Sequence, residues 1–162
     1  SVSRLLNEAR TKSVRKIVYT PIDLQRKFDK LKEHIRNIRF KPDFIDELVG
    51  QDLSLENYSN LKKWLVARDT LVVWAKIAEE AKIEEGKLDV CGFPDVETTV
   101  KRACEFCEWC VRNANEIVNI KILRVIDCQL KYLPKEVGNL SQLRNFFLAD
   151  NQLKRLPKEV GN

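Results

Sequence analysis

Apolar residues recur at helical spacing through most of the chain. The first stripe is formed by Leu24, Phe28, Leu31, Ile35 and Ile38. Residues three and four positions apart share one face of an α-helix, so this stripe predicts an amphipathic helix. Thr20 is a candidate N-cap, Pro21 suits the first helical position, and Pro42 disfavours a helix that continues. We therefore expect the first helix to extend from about residue 21 to about residue 39.

Three further helical segments are predicted before residue 119. The first is short, covers residues 42–50 and ends at a glycine. The second covers residues 54–83, and its apolar stripe changes phase near Arg68 and Asp69, so the pattern fits one bent helix or two. The third begins after the N-cap residue Asp95 and covers residues 96–113.

The pattern changes in residues 120–162, which contain two copies of one unit. The sequence Leu-Pro-Lys-Glu-Val-Gly-Asn occurs at 133–139 and again at 156–162, an offset of 23 positions. A fixed period of about 20–29 residues with the spacing L-x-x-L-x-L-x-x-N/C-x-L is typical of leucine-rich repeats. The segment resembles the short bacterial and plant-type repeats that carry L-P-x-x-[IV]-G-N.

This resemblance implies a fold class and a domain organisation. We expect a mainly α-helical N-terminal capping domain over residues 1–119 and a short leucine-rich-repeat segment, an α/β solenoid, over residues 120–162. A single repeat cannot bury its own apolar face, and about three are needed for a stable stack. The two copies are therefore expected to belong to an array that is cut short.

The repeat frame also assigns the side chains that point inward. In the first copy these are Ile120, Leu123, Val125, Leu130, Leu133 and Val137, and in the second they are Leu143, Phe146, Leu148, Leu153, Leu156 and Val160. Cys128 and Asn151 occupy the bend, where a small polar group is expected to bond to the backbone. The last helix of the capping domain is expected to pack over the first repeat.

The outward positions of the repeat strands are the candidate binding residues. Side chains alternate across a strand, which places on the concave face Ile122, Arg124, Ile126, Asp127, Asn145, Phe147, Ala149 and Asp150. Isoleucine and phenylalanine here are apolar where solvent favours polar groups, and an aromatic residue beside arginine is typical of interface hot spots. The alternative is that flanking structure covers these positions.

Cysteine and histidine are weaker candidates for chemistry. Five cysteines make an odd number, which disfavours a disulfide framework. Cys104, Cys107 and Cys110 have a spacing that can ligate zinc or an iron–sulfur cluster, but on a continuous helix they form a stripe that favours core packing. A metal site and redox chemistry are the alternatives. His34, the single histidine, is interpreted as a surface residue.

Catalytic residues are not predicted in this sequence. It offers no Ser–His–Asp order, phosphate-binding glycine loop or paired catalytic carboxylates. We therefore expect no enzymatic activity, no cofactor and no metal. The net charge of +5 is concentrated in residues 1–40, which hold eleven Lys or Arg against four Asp or Glu. The absence of aromatic interleaving argues against nucleic acid, and neither nucleic acid nor a membrane is expected as a partner.

The function expected from these features is protein–protein recognition. Helices followed by repeats resemble leucine-rich-repeat proteins of intracellular bacteria, some of which are secreted effectors. The resemblance implies a location in the cytoplasm, or in a host cytoplasm after delivery. One alternative is the targeting region of a larger enzyme such as a ubiquitin ligase, and another is a basic surface that binds nucleic acid or a membrane. Beyond a protein partner, we expect self-association through the open last repeat or fraying after about Asn151.

Overall fold

The computed structural model describes residues 21–153 and 156–161. The α-helices are α1 (Pro21–Arg36), α2 (Phe44–Val49), α3 (Leu55–Glu80), α4 (Val96–Cys104), α5 (Phe106–Arg112) and α6 (Ala114–Ile117). Short 3-10 turns occur at Val90–Gly92, Lys135–Asn139 and Lys158–Gly161. The strands are β1 (Ile122–Arg124) and β2 (Asn145–Phe147). Within these residues, no helix has the length and apolar character needed to cross a membrane.

The expected fold class is wrong. The described residues are about 57% helical and 4% strand, and they contain one parallel sheet of two strands rather than a solenoid. The physical reason is that each copy of the unit contributes only a three-residue strand. In addition, β1 packs against α3, so the first copy forms one layer of a helical core.

The helix boundaries follow the local signals with two differences. Helix α1 begins at Pro21 but ends at Arg36, earlier than expected, and the predicted N-cap Thr20 lies outside the described residues. The segment that fitted one helix or two is a single helix, α3. The Ser54 hydroxyl accepts a 2.9 Å hydrogen bond from the backbone N–H of Asn57 and so begins that helix.

The last predicted helix is divided in the structure. Asp95 begins α4 as expected, since its carboxylate accepts a 2.8 Å hydrogen bond from the backbone N–H of Thr98. This bond and a second one from the Thr98 hydroxyl lower the pKa of Asp95. Glu105 separates α4 from α5 while its own backbone stays in the right-handed helical region. The division lets α5 place Phe106 and Trp109 in the core.

One hydrophobic cluster extends from the helices into the repeat segment. All three tryptophans of the chain, Trp64, Trp74 and Trp109, are fully buried in it. The ring centroid of Trp74 lies 5.3 Å from that of Phe106 and 5.6 Å from that of Trp109. The Arg102 guanidinium lies over the Trp74 ring, 4.3 Å from its centre, within the range of a cation–π contact.

The packing between the helices and the repeat segment agrees with expectation in part. We expected the last predicted helix over the first repeat, and α5, which is part of that segment, contacts the Lys135–Asn139 turn of the first copy. Strand β1 instead packs against the long helix α3. The long helix therefore contacts both the helical core and the first strand.

The inward positions of the two copies differ in burial. All six expected residues of the first copy are buried, which confirms their orientation. The equivalents in the second copy are less covered: Leu143, Phe146, Leu148 and Leu153 are half-buried. Leu156 is 48% exposed, so its expected burial is wrong, and the Val160 side chain lies outside the described residues. Within the described residues, the second copy pairs with the first copy on one side only, which explains the difference.

A candidate protein-binding face

Strands β1 and β2 pair in parallel with the same 23-residue offset that relates the two sequence copies. Arg124 lies opposite Phe147, and Leu123 lies opposite Phe146. Leu123 is fully buried, whereas Arg124 and Phe147 are exposed. Alternation along the strands thus produces one face toward the core and one toward solvent.

The eight predicted binding residues lie on or beside the solvent face of this sheet. Ile122 is half-buried, and the other seven are exposed: Arg124, Ile126, Asp127, Asn145, Phe147, Ala149 and Asp150. We call this set the sheet face. Ile126 and Phe147 remain 42% and 43% exposed, so the flanking residues that the structure describes leave both side chains accessible.

The arginine of the sheet face contacts both an aromatic ring and a carboxylate. The guanidinium carbon of Arg124 lies 5.6 Å from the centre of the Phe147 ring, within the range of a cation–π contact. Its Nη1 atom lies 3.7 Å from Oε1 of Glu80, at the end of α3. These contacts hold a cation beside an exposed ring.

A second ion pair fixes the edge of the sheet face. Nη2 of Arg39 donates hydrogen bonds of 2.8 Å to both the backbone oxygen and the carboxylate of Asp127. Asp127 has a positive φ of 54°, a conformation that aspartate tolerates better than most residues. Both side chains are about half exposed, so solvent screens this pair and its main effect is to orient the loop.

The residues that anchor this loop to the helices were not predicted as a site. Arg68 and Asp69 of α3 are buried, and their side chains are 2.8 Å apart. Arg68 donates a 2.7 Å hydrogen bond to the backbone oxygen of Cys128. Asp69 accepts hydrogen bonds of 2.9 Å from the backbone N–H groups of Lys131 and Tyr132. Burial raises the pKa of Asp69 to about 6, against the opposing effects of Arg68 and the two backbone donors.

Asn151 joins the two copies through the backbone, as its position predicted. Its Oδ1 accepts hydrogen bonds from the backbone N–H groups of Cys128 and Leu130, at 3.2 and 2.9 Å. Its Nδ2 donates to the backbone oxygens of Val125 and Leu148. The amide therefore satisfies polar backbone groups at the bend of both copies. Cys128, the equivalent residue of the first copy, is half-buried, and its thiol donates a hydrogen bond to the backbone oxygen of Ile126.

The cysteines do not form the expected buried stripe. Cys110 is buried beside Phe106 and Trp109, but Cys104 and Cys107 are exposed, so the core interpretation is wrong for those two. The cause is that α5 points Phe106 and Trp109, rather than Cys107, toward the core. Burial raises the pKa of Cys110 to about 12, which makes its thiol a poor nucleophile. Among the described residues, no group of three or more Cys, His, Asp or Glu could hold a metal ion.

His34 is more enclosed than the surface interpretation expects. It is half-buried, and its Nε2 is buried without a hydrogen-bond partner in the described structure. Burial, together with the nearby charges of Lys131 and Arg68, lowers the pKa of His34. The neutral imidazole is therefore the form that the folded protein favours at neutral pH.

Comparisons of the chain with protein-family models, curated proteins and solved structures found no match. The resemblance to leucine-rich repeats is therefore carried by the repeated residues alone and remains a prediction.

Proposed function

We propose that this chain is a protein-recognition module that binds a partner protein through the sheet face. The observation that carries the proposal is the contact of the exposed Phe147 ring with the Arg124 guanidinium, together with the exposure of a second large apolar side chain of the same face, Ile126. Aromatic residues and arginine are enriched among the residues that dominate binding energy at protein interfaces. Scattered exposed apolar residues need no explanation, but a cluster built on paired strands does.

The chemistry of the sheet face suits a partner with both an apolar and an acidic group. If a partner covered the remaining exposed parts of Ile126 and Phe147, each side chain would contribute on the order of 1 kcal/mol to the free energy of binding. The Arg124–Glu80 pair is long at 3.7 Å and both groups are solvent-accessible. A partner carboxylate can therefore compete for the guanidinium and orient the complex.

A rigid support favours recognition by this face. The loop beside it is anchored to α3 by Arg68 and Asp69 and to the second copy by Asn151. Side chains on such a support lose little conformational freedom on binding, which preserves more of the contact energy. The same face would serve if the chain were the targeting region of a larger enzyme.

The proposed location is the cytoplasm, or a host cytoplasm if the chain belongs to an effector. All five cysteines are free thiols. Reduced thiols are the usual state in cytosolic proteins, where disulfides are rare.

The test is a matched comparison of partner capture. We expect Phe147→Asp to remove proteins that the wild-type chain captures, because it places a charge on the apolar centre of the face. Val111→Asp is the control, since Val111 is a 72% exposed apolar residue on α5, away from the sheet face. Thermal unfolding of both variants establishes that each is folded. Identical capture by the two variants would contradict the proposal.

A further inference from the structure

A separate cavity of about 510 Å³ lies between α3, the α4–α5 segment and residues 134–136. None of its lining residues belongs to the sheet face. Its volume is within the range of about 300–1,000 Å³ that is typical of small-molecule sites. The cavity therefore has the size of a ligand site, independent of the proposed protein-binding face.

The lining of this cavity is apolar at its centre. Val66 remains 38% exposed there, beside the buried Ala67. Val100 and Ala103 of α4 line the opposite side. The Thr70 hydroxyl, a polar group of the lining, already donates a 2.8 Å hydrogen bond to the backbone oxygen of Val66. A ligand group that enters must be apolar, because a buried polar group without a partner is costly.

The rim of the cavity is positively charged. Lys62 and Lys63 approach from α3, and Lys135 approaches from the segment after Pro134. Glu136 is the single acidic side chain among the described residues that line it. Three ammonium groups against one carboxylate favour an anionic group at the mouth of the cavity.

We propose that this cavity binds a free single-chain anionic amphiphile of the fatty-acid type. Its hydrocarbon chain would contact Val66, Val100 and Ala103, and its carboxylate would face the three lysines. The cavity has walls from three different elements. Such walls suit one extended hydrocarbon chain better than an α-helix, whose diameter with side chains is about 10–12 Å. The N-terminal residues 1–20 are a poor occupant, since their five Lys or Arg against one Glu repeat the sign of the rim.

Two thiols report directly on occupancy. Cys104 and Cys107 both line the cavity and are exposed, while Cys91 is exposed outside it. The experiment measures the alkylation rate of each cysteine by mass spectrometry while dodecanoate is titrated below its micelle concentration. We expect Cys104 and Cys107 to be protected about tenfold at ten times the Kd, with Cys91 unchanged. Unchanged rates at Cys104 and Cys107, or an equal slowing at all three cysteines, would overturn the proposal.

Charge and apolar variants separate the two parts of the site. Lys62→Glu/Lys63→Glu should weaken dodecanoate binding at least about fivefold, the scale of an exposed ion pair. Val66→Glu should remove binding by placing a carboxylate beside the hydrocarbon chain. Lys30→Glu on α1 is the control, because Lys30 is exposed and does not line the cavity. All four side chains are exposed, so the variants are expected to fold, and thermal unfolding checks this.

Four further probes test the head group and the source of the hydrocarbon chain. Dodecanol, which has the same chain without the charge, should bind more weakly than dodecanoate. Shortening the acid by one methylene should weaken binding by about fourfold. Equal binding of alcohol and acid would remove the role of the lysines and overturn the proposal. So would protection of the thiols by phosphatidylglycerol vesicles or by an acidic amphipathic peptide in place of dodecanoate.

Discussion

The carboxylate of Asp69 accepts a 2.9 Å hydrogen bond from the backbone N–H of Lys131, although 62 positions separate the two residues in the chain. Asp69 is fully buried in the middle of α3, and its second oxygen bonds to Arg68. A buried carboxylate with backbone donors from a distant loop fixes that loop in one position. The first copy of the repeated unit is thereby attached to the helices by polar contacts as well as by apolar packing.

Removing this carboxylate should destabilise the whole chain. We expect Asp69→Asn to lower the free energy of unfolding by about 3–5 kcal/mol, because it leaves the buried Arg68 charge without its partner. Denaturant unfolding measures the loss. The control is Glu108→Gln at the exposed pair with Arg112, 3.5 Å long, where the change should stay within about 0.5 kcal/mol. Equal stability of the two variants would show that Asp69 does not anchor the loop.

The two copies offer a direct test of the burial difference between them. Leu130 is fully buried and its equivalent Leu153 is half-buried. We expect Leu130→Ala to cost about 2–5 kcal/mol, as for a buried leucine, and Leu153→Ala clearly less. For the second equivalent pair, Leu133→Ala is likewise expected to destabilise the chain more than Leu156→Ala, because Leu133 is buried and Leu156 is exposed. Chemical denaturation of the four variants compares identical substitutions at equivalent positions, and a reversed order would contradict the burial that we describe.

The sequence predicted local structure and side-chain orientation well, for physical reasons. Ser54 and Asp95 begin helices because their side chains can bond the first backbone N–H groups, a local property. The inward side chains of the first copy follow from alternation along a strand. The register of β1 and β2 follows from the offset of the repeat.

The arrangement of the elements was less predictable, since it depends on contacts between distant residues. Arg68 and Asp69 interrupt an apolar stripe, and that change of phase was the only signal for a buried polar anchor. The exposure of Cys104 depends on the division of the helix at Glu105, which no residue pattern indicated. The repeat pattern suggested a solenoid, but two three-residue strands on a helical core make only a small sheet.

Gly138 is required by the close approach of the two copies. A Cβ atom at this position would lie 2.6 Å from the backbone oxygen of Glu159. Because that contact is with backbone rather than a flexible side-chain end, we expect Gly138→Ala to destabilise the chain by about 1–3 kcal/mol. Gly86→Ala is the control, since a Cβ at Gly86 meets nothing within 4 Å. Thermal or denaturant unfolding should separate the two variants, and equal effects would contradict the close approach.

The lowered pKa of His34 predicts a dependence of stability on pH. Below the ordinary value of 6.5 the unfolded chain binds a proton at this residue while the folded chain resists it. The contribution of His34 to stability is therefore present above pH 6.5 and is lost as the pH falls toward the lowered folded value. Asp69 is present in both the wild type and His34→Gln. The difference between their free energies of unfolding therefore isolates the contribution of the histidine.

The measurement for His34 is the free energy of unfolding of both proteins between pH 5 and 7.5. We expect the wild type to lose stability relative to His34→Gln as the pH falls below 6.5. A difference that stays constant with pH would mean that His34 has the same pKa in the folded and unfolded chains.

The second copy presents an apolar edge that predicts self-association. Its inward side chains are only partly covered, Leu156 is 48% exposed, and β2 pairs with β1 alone in the described part of the chain. An unpaired strand edge beside apolar side chains is a template for another chain. We expect the apparent mass to rise with concentration in sedimentation experiments and Leu156→Lys to reduce that rise. Val111→Lys should not, because it changes an equally apolar, 72% exposed residue on α5.

Fraying of the last copy is the other outcome that this exposed edge allows. It would appear as rapid amide exchange confined to residues after about Asn151, with no dependence of mass on concentration. The Asn151 side chain opposes fraying, since it bonds to backbone groups of both copies, so association is the outcome that we expect. Asn151→Ala should shift the balance from association toward fraying, because it removes those bonds. Amide exchange should then become faster at Cys128 and Leu130, whose N–H groups bond to the Asn151 side chain. A chain that stays monomeric at all concentrations and exchanges slowly throughout the second copy would contradict both outcomes.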